Sequence, residues 1–319
     1  MNTERRKEHT GRMKEHAVLL SAFCIFLLLG CNVYEDTKNC TQGIYVHFYS
    51  KTACSADTVY PQVEDLKLYV FDSNGILVSY GEDNNVSMQR DYSRTVDASG
   101  GLFTVIAWTG LNNGAFDWKA PEEKVTTKND LLFRLQRATQ QAASLDGKRV
   151  YYGESPTVFL PDPAEYGSIF ESAKINLQEI TNRFTVSVEG LPQAEDYEVV
   201  IESANGSMNI DGSIAGDEVI RYPSQPAVKE GILEAKFTVL KLATGYNGTL
   251  IVKDKRDNRE LYRGDLLGTL LLKNPEVNLA CDHDFTIRFT TKDQCDCGTY
   301  MIAQIWVNNW LVHSYATEL

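Results

Sequence analysis

Leu66-Lys67-Leu68-Tyr69-Val70-Phe71 is followed at once by Asp72-Ser73-Asn74-Gly75, and this stretch decides the fold. The first six residues are apolar or aromatic except Lys67, a composition typical of a strand. The next four are turn residues, and Gly75 accepts a positive φ at no steric cost. A short apolar run that ends in such a turn predicts a β-strand leading into a hairpin.

The same pattern recurs along the chain. Further runs rich in β-branched and aromatic residues cover residues 44–49, 102–108, 183–189, 197–202, 233–240, 249–253, 284–290 and 301–312. Turn residues separate them, as at Ser99-Gly100-Gly101, Asn205-Gly206, Asp211-Gly212 and Asn247-Gly248. Short strands at such regular spacing predict an all-β, mainly antiparallel protein.

Residues 129–143 are the exception, because their apolar side chains recur at helical spacing. The positions separated by four, three and four residues are Leu131, Leu135, Ala138 and Ala142. Arg134 and Arg137 would then lie on the opposite, polar face. We therefore expect one short amphipathic helix that packs over a sheet.

The strand pattern is interrupted near residues 161 to 180, where Pro161-Asp162-Pro163 precedes a polar stretch. We expect a linker here, between an N-terminal domain of residues 40–170 and a C-terminal domain of residues 171–319. Each has the size of a β-sandwich, which buries alternating apolar positions of two sheets against each other.

Composition limits the partners. The chain has 319 residues, with 31 Lys plus Arg against 43 Asp plus Glu and a formal net charge of -12. An acidic surface of this kind repels a phosphate backbone, which argues against nucleic acid as a partner.

The first thirty residues have the features of a signal peptide. Five basic residues precede an apolar run at residues 17–29, and they are Arg5, Arg6, Lys7, Arg12 and Lys14. As a helix this run would span only about 20 Å, short of the roughly 30 Å of a bilayer core. A removed signal over residues 1–30 is therefore expected, not a permanent membrane span.

The run ends in Leu28-Leu29-Gly30-Cys31, which resembles the bacterial lipobox. In a lipobox the Cys thiol is diacylated and the chain is cut before it. This predicts lipid attachment at Cys31, with residues 31–39 as a short tether. The alternative is an ordinary secretory signal in which Cys31 occurs by chance.

Five cysteines follow the lipid site: Cys40, Cys54, Cys281, Cys295 and Cys297. In an exported protein Cys40 and Cys54 are expected to form a bridge that closes a short loop, and Cys281 to pair with Cys295 or Cys297. The alternative is a metal site formed by Cys281, His283, Cys295 and Cys297. The Cys-x-Cys pair lacks the two-residue spacer of zinc knuckles, so no metal is expected.

Catalytic motifs are absent from the sequence. The nucleophile elbow, the metalloprotease helix motif, the P-loop and the dinucleotide fingerprint do not occur. Neighbouring carboxylates such as Glu122-Glu123 or Asp282 with Asp284 are common on an acidic β protein. The expectation is therefore a protein that is not an enzyme and holds no cofactor.

Several of these segments occur in an order that resembles a known family. They are the lipobox at Cys31, the strands at residues 43–48 and 63–78, Tyr151-Tyr152-Gly153, Ile180-Thr181-Asn182-Arg183-Phe184-Thr185-Val186, and Ile305-Trp306-Val307-Asn308-Asn309-Trp310-Leu311-Val312. The series is similar to the fimbrillin-associated anchor (base) subunits of Bacteroidales type V fimbriae. Asn309 stands where that family commonly has Gly. The resemblance covers nearly all of the chain after Cys31.

The resemblance implies two transthyretin-like β-sandwiches in tandem and a non-enzymatic role. The protein would be a lipid-anchored, surface-exposed outer-membrane subunit that attaches a fimbria and contacts the first pilin by β-strand exchange. The alternative is a surface glycan-binding β-sandwich lipoprotein that stacks sugars on exposed aromatic side chains. Its candidate residues are Trp108, Trp118, Trp306 and Trp310.

Residues 301–312 are the candidate partner-binding strand. Ile305 and Val307 have one parity, whereas Trp310 and Val312 have the other, so both faces are apolar. Asn308-Asn309 permits a hairpin turn or a bulge. The segment is therefore either a core hairpin of the second domain or a strand donated to pilin.

Overall fold

The structure is a computed structural model that describes residues 40–112, 114–271, 277–293 and 298–315. Short strands dominate these ranges, together with two short helices, α1 (Pro163–Tyr166) and α2 (Leu266–Leu271). The all-β prediction is confirmed.

In the first half the strands are β1 (Gly43–Tyr49), β2 (Leu66–Asp72), β3 (Leu77–Asp83), β4 (Ser93–Asp97), β5 (Gly101–Thr109), β6 (Phe116–Asp117), β7 (Leu132–Leu135), β8 (Arg137–Ala138), β9 (Gln141–Ala142), β10 (Tyr151–Glu154), β11 (Val158–Leu160), β12 (Phe170–Asn176) and β13 (Gln178–Glu179). In the second half they are β14 (Thr181–Glu189), β15 (Tyr197–Ser203), β16 (Ser207–Asn209), β17 (Ile214–Ala215), β18 (Ile220–Tyr222), β19 (Gln225–Lys229), β20 (Ile232–Leu240), β21 (Thr249–Asp254), β22 (Glu260–Asp265), β23 (Asp284–Asp293), β24 (Tyr300–Val307) and β25 (Trp310–Ser314).

The first sandwich packs a three-stranded sheet, β12-β1-β4, against a larger sheet, β13-β10-β5-β2-β3, with β11 also paired to β5. Alternate side chains of facing strands fill its core, as expected for strands with one buried face. On β1 and β2 these are Ile44, Val46, Phe48, Leu66, Leu68 and Val70.

The second sandwich is formed by the sheets β19-β20-β14-β23-β24-β25 and β22-β21-β15-β18-β9-β8. Strand β14 of this sandwich lies between antiparallel β20 and parallel β23. In the first sandwich β1 likewise lies between antiparallel β4 and parallel β12. The two sandwiches therefore repeat one arrangement, in agreement with the predicted tandem.

A fifth sheet, β17-β16-β7-β6, covers the outer face of the β2 sheet. Tyr69, Phe71 and Trp108 point to this side and join Phe133 and Met208 in one core that continues into the second sandwich. Strand β2 is therefore buried on both faces. This explains why its sequence is almost uninterruptedly apolar.

The predicted helix at residues 129–143 is wrong. A 3-10 turn at Lys128–Asp130 is followed by β7, β8 and β9. Leu131, Phe133 and Leu135 are buried and alternate with exposed residues, which is the period of a strand. A helix would turn Phe133 about 200° away from Leu131, out of the apolar face.

The predicted domain boundary also needs correction. Strand β12 pairs with β1 along its whole length and β13 pairs with β10, so the chain leaves the first sandwich after Glu179 instead of at residue 170. Strands β7 and β9, from the first half of the chain, pair with β16 and β18 of the second half. The halves are interlocked, and residues 161–180 contain α1, β12 and β13 where a linker was expected.

Candidate interaction surfaces

The C-terminal segment forms a hairpin of β24 and β25, and β25 is the outermost strand of its sheet. Asn308 and Asn309 occupy the turn with φ of 46° and 69°, and two positive φ values are typical of a two-residue type I′ turn. The side-chain oxygen of Asn308 accepts a hydrogen bond from the Thr286 amide at 2.9 Å. Of the two readings of this Asn pair, the structure shows the hairpin.

The hairpin distributes the four candidate partner-binding residues unequally. Ile305, Val307 and Val312 are buried in the core of the second sandwich, whereas Trp310 is 44% exposed. Leu311, which sequence reasoning left out, is 42% exposed on the same strand. Its position next to Trp310 on the last apolar run was the only signal that could have indicated it.

The free side of β25 offers backbone groups with no neighbouring strand among the described residues. An edge strand of this kind presents a row of N–H and C=O groups that can pair with another chain. Exposed apolar side chains on the same strand supply contacts for such a partner. The edge of β25 is thus open to pairing with a further strand.

The predicted Cys40–Cys54 bridge is wrong, because Cys54 pairs with Cys281 and Cys40 is free. The seven residues of β1 separate Cys40 from Cys54 and hold them at opposite ends of a strand about 20 Å long. The observed bridge links the loop after β1 to the segment before β23. It therefore joins the two sandwiches covalently.

The same bridge removes Cys281 from the alternative metal site. His283 is close by in sequence, while Cys295 and Cys297 lie outside the described residues. In the ranges that the structure describes, no group of three or more His, Cys, Asp or Glu side chains is arranged to hold a metal ion.

An ion-pair cluster lies beside this bridge. Arg183 donates to both carboxylate oxygens of Asp284, at 2.6 and 2.8 Å, and also to Glu179. Burial opposes the charge on Arg183, but these carboxylates outweigh it and raise its pKa, and Arg183 in turn lowers the pKa of Asp284. Asp282 instead accepts a hydrogen bond from the Asn278 amide. The carboxylate pair noted in the sequence is therefore engaged in structural contacts.

The cluster borders a cleft of about 570 Å³ between the two sandwiches. His283 lines it, and burial lowers the pKa of this imidazole, so the neutral form is favoured. Its Nδ1 has no hydrogen-bond partner among the described residues.

A second polar cluster connects β7 and β8 to the loop between β17 and β18. Arg134 and Arg137, which the predicted helix placed on a solvent-facing side, both contact Asp217, at 3.0 and 2.6 Å. Burial opposes ionisation of Asp217, yet hydrogen bonds from Arg137, Ser207 and Arg134 hold its pKa well below the ordinary range. Long-range charge pairing of this kind has no signal in local sequence.

The four Trp side chains do not form a sugar-stacking platform. Trp108 is fully buried, Trp118 lies under the ammonium of Lys67 at 4.3 Å, and Trp306 is half-buried against Arg288. Only Trp310 is exposed. The glycan-binding alternative therefore keeps only one exposed residue, Trp310, of the four that suggested it.

The predicted lipid-attachment residue, Cys31, lies outside the described residues, as does the whole signal segment. In the part of the chain that the structure does describe, no helix has the length and apolar character to cross a membrane.

These observations define a class, a tandem β-sandwich protein whose β25 is an edge strand with exposed apolar side chains. The model of the family "Fimbrillin-A associated anchor proteins Mfa1 and Mfa2" matches residues 36–315, and the chain belongs to this family. The family predicted from the segment order is thereby confirmed.

Individual relatives agree with this assignment. The chain is 37% identical over 297 residues to the minor fimbrium anchoring subunit Mfa2 of Porphyromonas gingivalis, covering 90% of each chain. It is similar to the solved structure of the fimbrial anchor protein Mfa2 from that organism, with a TM-score of 0.80, 37% identity and coverage of 86% of this chain and 100% of that one. A proposed polysaccharide-binding protein from Bacteroides thetaiotaomicron shares the fold, with a TM-score of 0.71, 20% identity and coverage of 86% and 99%.

Proposed function

We propose that this protein is the base subunit of a fimbria, held on the outer membrane by lipid at Cys31 and joined to the first pilin along the edge of β25. The observation that carries the proposal is the 37% identity, over 90% of both chains, to a fimbrium anchoring subunit. No catalytic step is part of this role.

Lipid attachment at Cys31 is the anchoring half of the proposed role. The lipobox-like Leu28-Leu29-Gly30-Cys31 stands at the end of a signal-like apolar run. Stable anchoring of a protein requires more than one acyl chain, and a diacylated Cys that is also amide-acylated meets this requirement. The protein would then sit on the membrane without crossing it.

Cys31→Ala should abolish lipid labelling. Without the thiol there is no site for diacylation, and processing before residue 31 should stop. The measurement is incorporation of radioactive palmitate in cells, with the size of the product followed on a gel. Cys40→Ala is the matched control and should label normally. Normal labelling of the Cys31 variant would refute the anchor site.

Acceptance of a strand at the edge of β25 is the pilin-binding half of the role. Donation of this segment would withdraw Val312 from the core and break the pairing of β25 with β24. Burial of a side chain of this size contributes roughly 1.5 to 3 kcal/mol, which donation would lose. If β25 instead accepts a strand from pilin, Val312 and the pairing with β24 stay in place, and the new strand pairs with the outer side of β25.

Trp310→Lys combined with Leu311→Lys should weaken pilin binding at least about tenfold, which is 1.4 kcal/mol. Charged lysines on an edge strand oppose addition of a further strand. Both side chains are exposed, so the fold should persist. The measurement is pull-down of pilin subunits with the purified lipoprotein.

Val228→Lys is the matched control, because Val228 is 45% exposed on β19, the opposite edge of the same sheet. It should bind pilin normally. Equal loss in both variants, or no loss in the β25 variant, would contradict pairing at this edge.

A further inference from the structure

The exposed aromatic side chains are gathered at two places on the molecule. Six are exposed among the described residues: Tyr45, Phe159, Tyr166, Phe170, Trp310 and Tyr315. Trp310 and Tyr315 belong to the C-terminal hairpin and the residue after it. The other four lie at the end of the first sandwich where the chain enters it from the N-terminus.

That end is formed by residues 40–43, 97–102 and 159–170, here called the N-terminal face. Gln42 holds its parts together. Its side chain donates to the carbonyl of Gly167 at 2.8 Å and accepts from the amide of Gly100 at 3.2 Å. The amide of Gly43 donates to Ile169 O. The face is thus a set of loops fixed around the first described residues.

Two apolar pairs flank this face, one on the outer side of each sheet of the first sandwich. Tyr45 and Phe170 stack with ring centroids 5.2 Å apart. Phe159 pairs across strands with Leu102, and these side chains are 62% and 47% exposed. Tyr166, on α1, is 63% exposed. Single exposed apolar side chains are ordinary, but five around one end of a sandwich point to a contact at that end.

The second sandwich does not cover this face. Strand β1 starts at the face and ends beside the junction, where Cys54 is bonded to Cys281. The strand is about 20 Å long, so the N-terminal face stands at the far end of the first sandwich from that bond.

Chain length places the face close to the proposed lipid. The nine residue steps from Cys31 to Cys40 can reach at most about 30 Å when fully extended. A diacylated Cys31 lies at the membrane surface. The N-terminal face can therefore never be far from lipid.

We propose that the N-terminal face rests on the bilayer surface, with Phe159 and Tyr166 in the interfacial zone, as a second membrane contact beside the acyl chains. This inference rests on the proposed lipid attachment at Cys31. Tyr and other amphipathic aromatic rings favour the headgroup region of a bilayer. The contact would hold the sandwich in a fixed orientation on the membrane.

The charges around the N-terminal face exclude an electrostatic contact with anionic lipid. Asp97, Asp162, Glu165 and Glu171 are acidic, and they repel anionic headgroups. The contact must therefore be apolar and insensitive to salt, and zwitterionic lipid suffices for it.

Brominated lipid tests this arrangement, because bromine quenches Trp fluorescence only at close range. Lipidated protein carrying Phe159→Trp or Tyr166→Trp is placed in dioleoylphosphatidylcholine vesicles with or without brominated acyl chains. The emission of the added Trp, taken as the difference from the unsubstituted protein, should fall about twofold or more in brominated vesicles. It should fall equally at about 50 mM and about 500 mM salt.

Val228→Trp is the control, on the exposed edge strand of the second sandwich, and its emission should not change. If the protein floats with the vesicles but residues 159 and 166 are quenched no more than residue 228, the membrane contact is refuted while the lipid anchor stands. If the protein does not float at all, the anchor at Cys31 is refuted, and this contact with it.

Discussion

Trp108→Ala is expected to lower the free energy of unfolding by about 3 to 5 kcal/mol. The side chain is fully buried between the β2 sheet and the fifth sheet. Its ring centroid lies 4.6 Å from that of Phe133 and 5.4 Å from that of Tyr152. Its indole N–H donates to the carbonyl of Ile210 at 2.9 Å, so truncation leaves both a cavity and an unpaired acceptor.

Urea denaturation followed by far-UV circular dichroism measures this effect. Trp108→Phe keeps most of the ring volume but removes the hydrogen bond, and its cost should be smaller. Trp310→Ala is the matched control, since an exposed Trp should change stability by no more than about 0.5 kcal/mol. A loss below about 1 kcal/mol for Trp108→Ala would contradict a shared core at this position.

Removal of the Cys54–Cys281 bridge, by Cys54→Ser with Cys281→Ser, is the second large expected effect. The bridge spans a sequence separation of 227 residues. In the chain-entropy view, a crosslink that closes so long a loop stabilises by up to about 5 kcal/mol, and typical measured values are 2 to 4 kcal/mol. The double variant should therefore unfold at a markedly lower urea concentration.

Peptide mapping under non-reducing conditions checks the pairing itself and should recover a peptide that contains Cys54 joined to one that contains Cys281. Cys40→Ser is the control and should leave both the map and the stability unchanged. Recovery of a Cys40–Cys54 peptide would show that this pairing is incorrect.

Local sequence predicted the features that depend on neighbouring residues. Strand β2 and its turn at Asp72-Ser73-Asn74-Gly75 follow from composition and turn chemistry, and the structure has both, with Gly75 at φ 74°. A turn at Asn308-Asn309 can also be predicted from local sequence, because Asn is favoured where both turn residues have a positive φ.

Features that depend on distant residues were not predictable in this way. Leu131 and Phe133 share one buried face, as in a strand, but β7 exists because it pairs with β16, more than seventy residues later. Cys54 and Cys281 are 227 residues apart in sequence, and only the arrangement of the two sandwiches brings them together. The open edge at β25 likewise depends on the order of the whole sheet, so sequence identified the segment but not which side chains it exposes.

The bond between Cys54 and Cys281 also sets how the subunit would carry mechanical load. In the proposed arrangement, a fimbria pulled by flow would apply tension between a lipid at Cys31 and a pilin bound at β25. The covalent path between these points runs from residue 31 to Cys54, across the bond, and on from Cys281 to β25. Residues 55 to 280 form a closed loop outside this path. With the bond intact, tension can peel β1 or the last three strands, but it cannot draw out the chain between the two cysteines.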